Sequence, residues 1–426
     1  MAAAATAKAI TASTINDWRR NPSREKRLRE DTRTIGLLLC HADGMSAIAQ
    51  RWMSNAGKAG KALHNRPQIM APAEFGLVVE CCRWPNDPRR ADAIGTAAAN
   101  IDWPSFLATA ERHRVTGLCW NALHSLGVRM PEPASAVLAK RANSIAAHGL
   151  QAAAESARLS AALDRASIPH LFVKGLPVGA LAYGSPFIKH SWDIDVLVGE
   201  DGVEQGASIL HNLGFKLIFP KFGRDWGRLM RWHHVQKDSA WRHEASGMIV
   251  ELHSRLSDNR RLIPAIDLSS PRQFVAITDG ISLPTLALDE MFAHLCVHGA
   301  SSAWFRLKWI GDLAALIART SADVDHLYRR SQELGAGRAA AQALLLAHRL
   351  FDTTIDDRLL RELDAGRANR WLADTAFAQL LLPEPGARWL GTAAIHITQL
   401  FLLPGARFKL AEARRQISAA MSNLLD

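Results

Sequence analysis

The chain has 426 residues, 48% of them hydrophobic and 22% charged, with a net charge of +10. That balance belongs to a globular protein with room for two or three domains, and it excludes a collagen-like or wholly disordered chain. The basic excess is local: residues 1–66 carry twelve Lys/Arg against five Asp/Glu, a net of +7, which leaves +3 for the other 360.

Residues 1–66 are poor in large apolar groups. They read as a basic, largely disordered tail with transient helix over 24–52. Its only aromatics are Trp18 and Trp52, so a solvated segment is expected before a nucleic-acid surface. Cys40, Cys81, Cys82, Cys119 and Cys296 show no regular spacing and no CxxC, which predicts reduced thiols. No secretory leader pattern is seen, and the greasy stretch 389–403 is too short to span a membrane. A cytoplasmic location without membrane attachment is therefore expected.

Helical periodicity starts near residue 74. Phe75, Leu77, Val78 and Val79 form one helix. Trp103, Phe106, Leu107 and Ala110 form the next, with Asp102 as N-cap. The Ala-rich run 134–166 predicts a long helix. Residues 67–166 are thus an N-terminal helical region.

The pattern changes at Ile168-Pro169. Leu171-Phe172-Val173 is a short strand, Lys174-Gly175 a turn, and Pro177 to Tyr183 a helix with proline in its first turn. Residues 193–198 are a second strand. Val203 to Leu213 is a helix stopped by Gly214, and Phe215 to Phe219 is a third strand. His233 to Lys237 and Met248 to His253 alternate like antiparallel strands. This makes a small core over 167–258. Helical patterns return from 286, so 259–426 is a C-terminal helical region. The expected fold is α+β, a small mixed sheet flanked by helical regions on both sides.

The chemistry concentrates in Trp192-Asp193-Ile194-Asp195-Val196-Leu197-Val198. A strand has period two, so Asp193 and Asp195 share a face while Ile194 and Val196 take the other. Two like charges side by side repel, and a divalent cation would neutralise them. Glu251 interrupts the apolar run Val250-Glu251-Leu252-His253 on a later strand. Lys174 and Gly175 precede a helix whose free N–H groups favour an anion. Three carboxylates beside an anion-binding turn make a site for Mg²⁺, which prefers oxygen and bridges carboxylates to phosphates. Two such ions about 3.5–4 Å apart can hold both the attacking and leaving oxygens of an in-line displacement.

Other residues are less specific. Lys174 is either a phosphate contact or the partner of a strand carboxylate. His253 shares the face of Glu251, and either a site contact or a structural hydrogen bond suits it. His294 and His298 have a spacing that permits zinc, but no third ligand is evident, so packing or capping is expected. Arg306 and Asp312 either line a cleft or form an ion pair, within a helix or between regions. His113-Arg114 reads as surface or as a contact between regions.

Taken together, Leu171-Phe-Val-Lys174-Gly175, Tyr183-Gly184, Asp193-Ile-Asp195-Val-Leu-Val and Val250-Glu251-Leu252-His253 resemble the bacterial uncharacterised nucleotidyltransferase family of the DNA polymerase β-like superfamily. Trp103-x-x-Phe106 with Glu111-Arg-His113-Arg-Val, and His294, His298-Gly299 and Trp304-Phe-Arg306-Leu-Lys-Trp309-Ile-Gly-Asp312-Leu, extend the resemblance over about 74–410. It implies transfer of a nucleoside monophosphate from an NTP such as ATP to an acceptor, with release of pyrophosphate. Asp193, Asp195 and Glu251 would be the catalytic metal ligands for two Mg²⁺ ions, with Mn²⁺ as an alternative. Lys174 and Gly175 would bind the nucleotide. One position departs from the superfamily: Leu176 follows Gly175 where Ser or Gly is usual. Lys189 and His190 stand where the family tends to have Arg. A small molecule or peptide is the expected acceptor. Two alternatives remain: a catalytically inactive nucleotide-binding or scaffold member, and an RNA-modifying enzyme that uses the basic tail.

Overall fold

The computed structural model describes residues 71–221, 225–385 and 391–425, and the tail read over 1–66 lies outside them. The described residues begin with five α-helices: α1 Ala73–Cys81, α2 Ala91–Ala99, α3 Trp103–Arg112, α4 Thr116–Ser125 and α5 Glu132–Arg165. The predicted cap of α3 is present, with Asp102 accepting the Ser105 N–H at 3.0 Å. On α5 the buried residues Leu138, Ile145, Gly149, Ala152, Ser156, Leu159 and Leu163 recur at helical spacing and form one stripe. A helix of 34 residues reaches about 50 Å. Its first half packs into the cluster of the N-terminal helices through Leu138. Its second half packs against the sheet through Ala152, Leu159 and Leu163.

The core follows as β1 Leu171–Phe172, α6 Leu176–Tyr183, β2 Asp193–Leu197, α7 Val203–Asn212, β3 Phe215–Phe219, α8 Trp226–Val235, β4 Asp238–His243 and β5 Ile249–His253. The sheet order is β1-β2-β5-β4-β3. Only β2 and β5 run parallel; the other neighbours are antiparallel. One expectation is corrected here. His233 to Val235 close helix α8, and the strand begins afterwards at Asp238. Leu229, Trp232 and His233 are buried on one side of α8 at spacings of three and four, and Asp225 caps it by accepting the Arg228 N–H at 2.8 Å. The short alternation in His233 to Lys237 loses to that longer period.

A hairpin, β6 Arg272–Thr278 and β7 Ile281–Leu286, comes next, within the segment counted from sequence with the C-terminal helices. Asp279-Gly280 forms its two-residue turn, with Gly280 at φ 79°, a conformation glycine adopts without steric cost. Val275, Ile277 and Leu283 of the hairpin join the same apolar cluster as β2 and β5. The rest is helical: α9 Leu288–Ser301, α10 Leu307–Thr320, α11 Val324–Glu333, α12 Gly337–Phe351, α13 Asp357–Ala365, α14 Arg367–Leu381, α15 Ala393–Gln399 and α16 Ala406–Leu425. Helices α9, α10 and α12 supply Phe292, Leu313 and Leu344, all fully buried, to the larger cluster. No helix of the described residues is long and apolar enough to cross a membrane.

Candidate functional site

The strand alternation does what the sequence requires. Ile194, Val196, Val250 and Leu252 pack into the apolar cluster on one side of the sheet. The opposite side takes the polar partners. In the parallel pair of β2 and β5, Asp195 stands beside Glu251 and Leu197 beside His253. Adjacent residues of paired strands share a face, so both carboxylates project together. Asp195, Glu251 and His253 are all buried, and one ligand-capable atom from each lies within 4.8 Å of the others.

Asp195 Oδ1 meets the Lys174 ammonium at 2.6 Å and accepts a hydrogen bond from His253 Nε2 at 3.0 Å. Burial opposes ionisation of Asp195, but Lys174 and His253 outweigh it and hold the carboxyl well below the usual carboxylate range. Burial likewise works against charge on Lys174, yet Asp195, helped by Glu251 and Asp193, keeps its pKa above the ordinary lysine value. Burial and Lys237 push His253 down against the pull of Asp195. A neutral His253 that donates from Nε2 has its bare lone pair at Nδ1, and that atom is buried without a hydrogen-bond partner. Glu251 Oε2 lies 3.8 Å from His253 Nε2.

The sequence-predicted residues are thus partly brought together. Asp195 and Glu251 converge, and His253 completes the group of three. Asp193, half-buried at the start of β2, stays outside that group. Its charge is felt by Arg114, His148 and Lys308 as well as by Lys174. Lys174 takes the carboxylate-partner alternative. Gly175 is the expected turn, at φ 61° and ψ −121°, where an L side chain is strained. A Cβ there would also sit 3.0 Å from Ser191 Oγ. Leu176 is buried in the apolar cluster, so no hydroxyl stands at that position.

Two further residues stand near the cluster or brace the elements around it. His294 on α9 is buried with both ring nitrogens unpartnered, although Lys174, His253 and Asp195 all act on it electrostatically. Its ring lies 6.3 Å from that of His298, so it packs as expected within reach of the cluster's field. Asp312 ties the regions together: it accepts from Lys189 Nζ at 2.6 Å and from the Tyr183 hydroxyl at 3.0 Å. Arg306 pairs with Glu384 at 3.3 Å. Asp312 thus takes the ion pair between regions that the sequence left open, whereas the Arg306 pair lies within the C-terminal region. A cavity of about 440 Å³ opens beyond the carboxyl ends of β2 and β5, beside Leu197, Ser254 and Arg255, and none of the three clustered residues lines it.

A mixed sheet that gathers two carboxylates and an imidazole on its central parallel strands defines an α+β protein able to hold a divalent metal. The chain belongs to the family described as "Uncharacterised nucleotidyltransferase", whose model matches residues 99–352. The match takes in the whole sheet and the residues Lys174, Gly175, Asp193, Asp195 and Glu251. It is narrower than the span of about 74–410 read from the motifs. No curated protein matches the chain.

Proposed function

We propose that this protein transfers a nucleoside monophosphate from an NTP to a hydroxyl or amine of a small molecule or peptide. The pairing of Asp195 with Glu251 on the parallel strands, inside a nucleotidyltransferase family, carries the reading. The donor set fits a divalent cation: two buried carboxylates supply oxygen, and His253 adds a neutral imidazole. Asp193, Asp195 and Glu251 would hold Mg²⁺ or Mn²⁺, with His253 beside them. The bound ions would neutralise phosphate charge and favour ionisation of the acceptor.

The remaining chemistry is positioning, since phosphoryl transfer asks little covalent help of protein. An acceptor oxygen or nitrogen bonds to the α-phosphorus as the bond to pyrophosphate breaks. The acceptor proton passes to Glu251 and then to solvent. Lys174 supplies a fixed positive charge at Asp195, and Gly175 lets backbone approach the nucleotide.

The test is label transfer from NTPs marked at the α-phosphate, incubated with Mg²⁺ or Mn²⁺ and fractionated lysate. Wild type should mark an acceptor and release pyrophosphate, while Asp193→Asn and Glu251→Gln should not. Label arriving from the γ-position alone would overturn the reading. A second reading, a nucleotide-binding member without turnover, is favoured by buried Leu176 in place of the serine and by the Lys174–Asp195 pair. It predicts NTP binding with no pyrophosphate release.

A further inference from the structure

Among the described residues, Lys308 and Arg114 are cations without a counter-ion in contact. Lys308, on the first turn of α10, has one hydrogen bond, to the His190 carbonyl at 3.3 Å. Arg114 sits at φ 57° in the bend between α3 and α4. The two come from opposite helical regions, and one hydrogen bond joins the residues that precede them. His113 Nδ1 accepts the Leu307 N–H at 3.1 Å, and each cation is the next residue along its own chain segment. His113 is buried and held neutral, its pKa pushed well below the ordinary value by burial and by Arg112, so its nitrogen remains an acceptor. Gly117 lets α4 close on the loop before β2, because a Cβ there would fall 2.2 Å from the Ile188 carbonyl oxygen. That loop brings His190 and Trp192, whose rings lie 4.3 Å apart, up to Asp193.

Asp193, Glu384 and Glu111 act on Arg114 at a distance, and among the described residues none of them is in ion-pair contact with it. Asp312 already serves Lys189 at 2.6 Å, and Asp193 is the other carboxylate near Lys308. Burial, Lys189 and Arg114 push Lys308 down to about 7. His190 is driven down by burial and by the same Arg114 and Lys308, with His148 behind them. Both cations keep partial exposure. Isolated positive charge of this kind is stabilised by an anion with several oxygens, and a guanidinium fork with an ammonium suits a polyphosphate.

We propose that Arg114 and Lys308 form a polyphosphate subsite, assembled across the two helical regions next to Asp193. This deepens the nucleotidyltransferase reading and rests on it. The phosphate chain of the NTP would lie against the helical cations, not against Lys174, which Asp195 already occupies.

The probe is inorganic tripolyphosphate, titrated calorimetrically into the full chain without metal. Wild type should bind it. Lys308→Met and Arg114→Met should each weaken binding at least tenfold, Lys308→Arg should restore most of it, and Lys216→Met, at an exposed lysine of β3, should change it less than threefold. Affinity should fall as pH rises from 6 to 8 in wild type, as Lys308 loses its proton, and this fall should flatten in Lys308→Met and Lys308→Arg. Thermal unfolding of each variant checks that it folds. Absence of wild-type binding, or binding as tight as wild type in either methionine variant, would overturn the proposal. Mn²⁺ binding followed by electron paramagnetic resonance reads the carboxylate site separately: it should survive Lys308→Met and be lost in Asp195→Asn. Loss of tripolyphosphate binding with Mn²⁺ binding intact therefore bears on the cations alone.

Discussion

The two faces of the central sheet share the same strands and the same backbone hydrogen bonds, yet they obey different energetics. One face, built from Ile194, Val196, Val250 and Leu252, is dry and apolar. Its stability comes from area removed from water and grows with each methylene buried. The other carries Asp195, Glu251 and His253, buried as deeply as the apolar set. Each charge there is tolerated only because an opposite one stands against it, and a buried ion pair adds little net stability. The difference separates what holds the fold from what the fold holds in readiness.

Placing a charge on the dry face gives the largest effect. Val196 is fully buried, and Val196→Asp should cost more than about 4 kcal/mol, because an unpaired carboxylate meets no partner there. Urea unfolding would show loss of the folded baseline; a variant with near-native stability would erase the distinction between the faces. On the wet face, Asp195→Ala strands the Lys174 ammonium. The expected cost is about 3–5 kcal/mol. The double variant Asp195→Ala/Lys174→Met should recover most of it, and a denaturant-based double-mutant cycle measures the recovery.

The gentlest probe is pH. Seven histidines, His113, His148, His190, His233, His253, His294 and His298, have folded pKa values below the ordinary 6.5, chiefly through burial. Below about 6.5 the unfolded chain takes up protons that the native chain refuses, so stability should fall as the pH drops. Each fully excluded histidine adds up to about 1.4 kcal/mol per pH unit. The urea midpoint should therefore be lower at pH 5.5 than at pH 7.5, and His294→Phe should narrow the gap.

Much of this arrangement was legible from local pattern. Period-two alternation put Asp193 and Asp195 on one face, and the lone acid in Val250-Glu251-Leu252 marked the second strand. The Asp102 cap and the long Ala-rich helix followed from propensity alone. What escaped depends on partners distant in sequence. The sequence offered Lys174 a strand carboxylate without deciding for it, and His253 becomes the third member of the cluster only through the parallel register with β2. The pairing of Arg114 with Lys308 hangs on a hydrogen bond across 194 positions, from Leu307 to His113. The β6–β7 hairpin had a local signal in Asp279-Gly280, which the dominant helical pattern downstream obscured.

Helix α5 makes the assembly sensitive to phase. Because Leu138 belongs to one apolar cluster and Leu159 to the other, the rod fixes their relative azimuth. A single residue inserted near Gly149 would rotate everything beyond it by about 100°. Leu159 and Leu163 would swing off the sheet while Leu138 kept its seat, whereas inserting a whole heptad would lengthen the rod and nearly restore the facing. Natural variation in this segment should therefore come in multiples that preserve the turn.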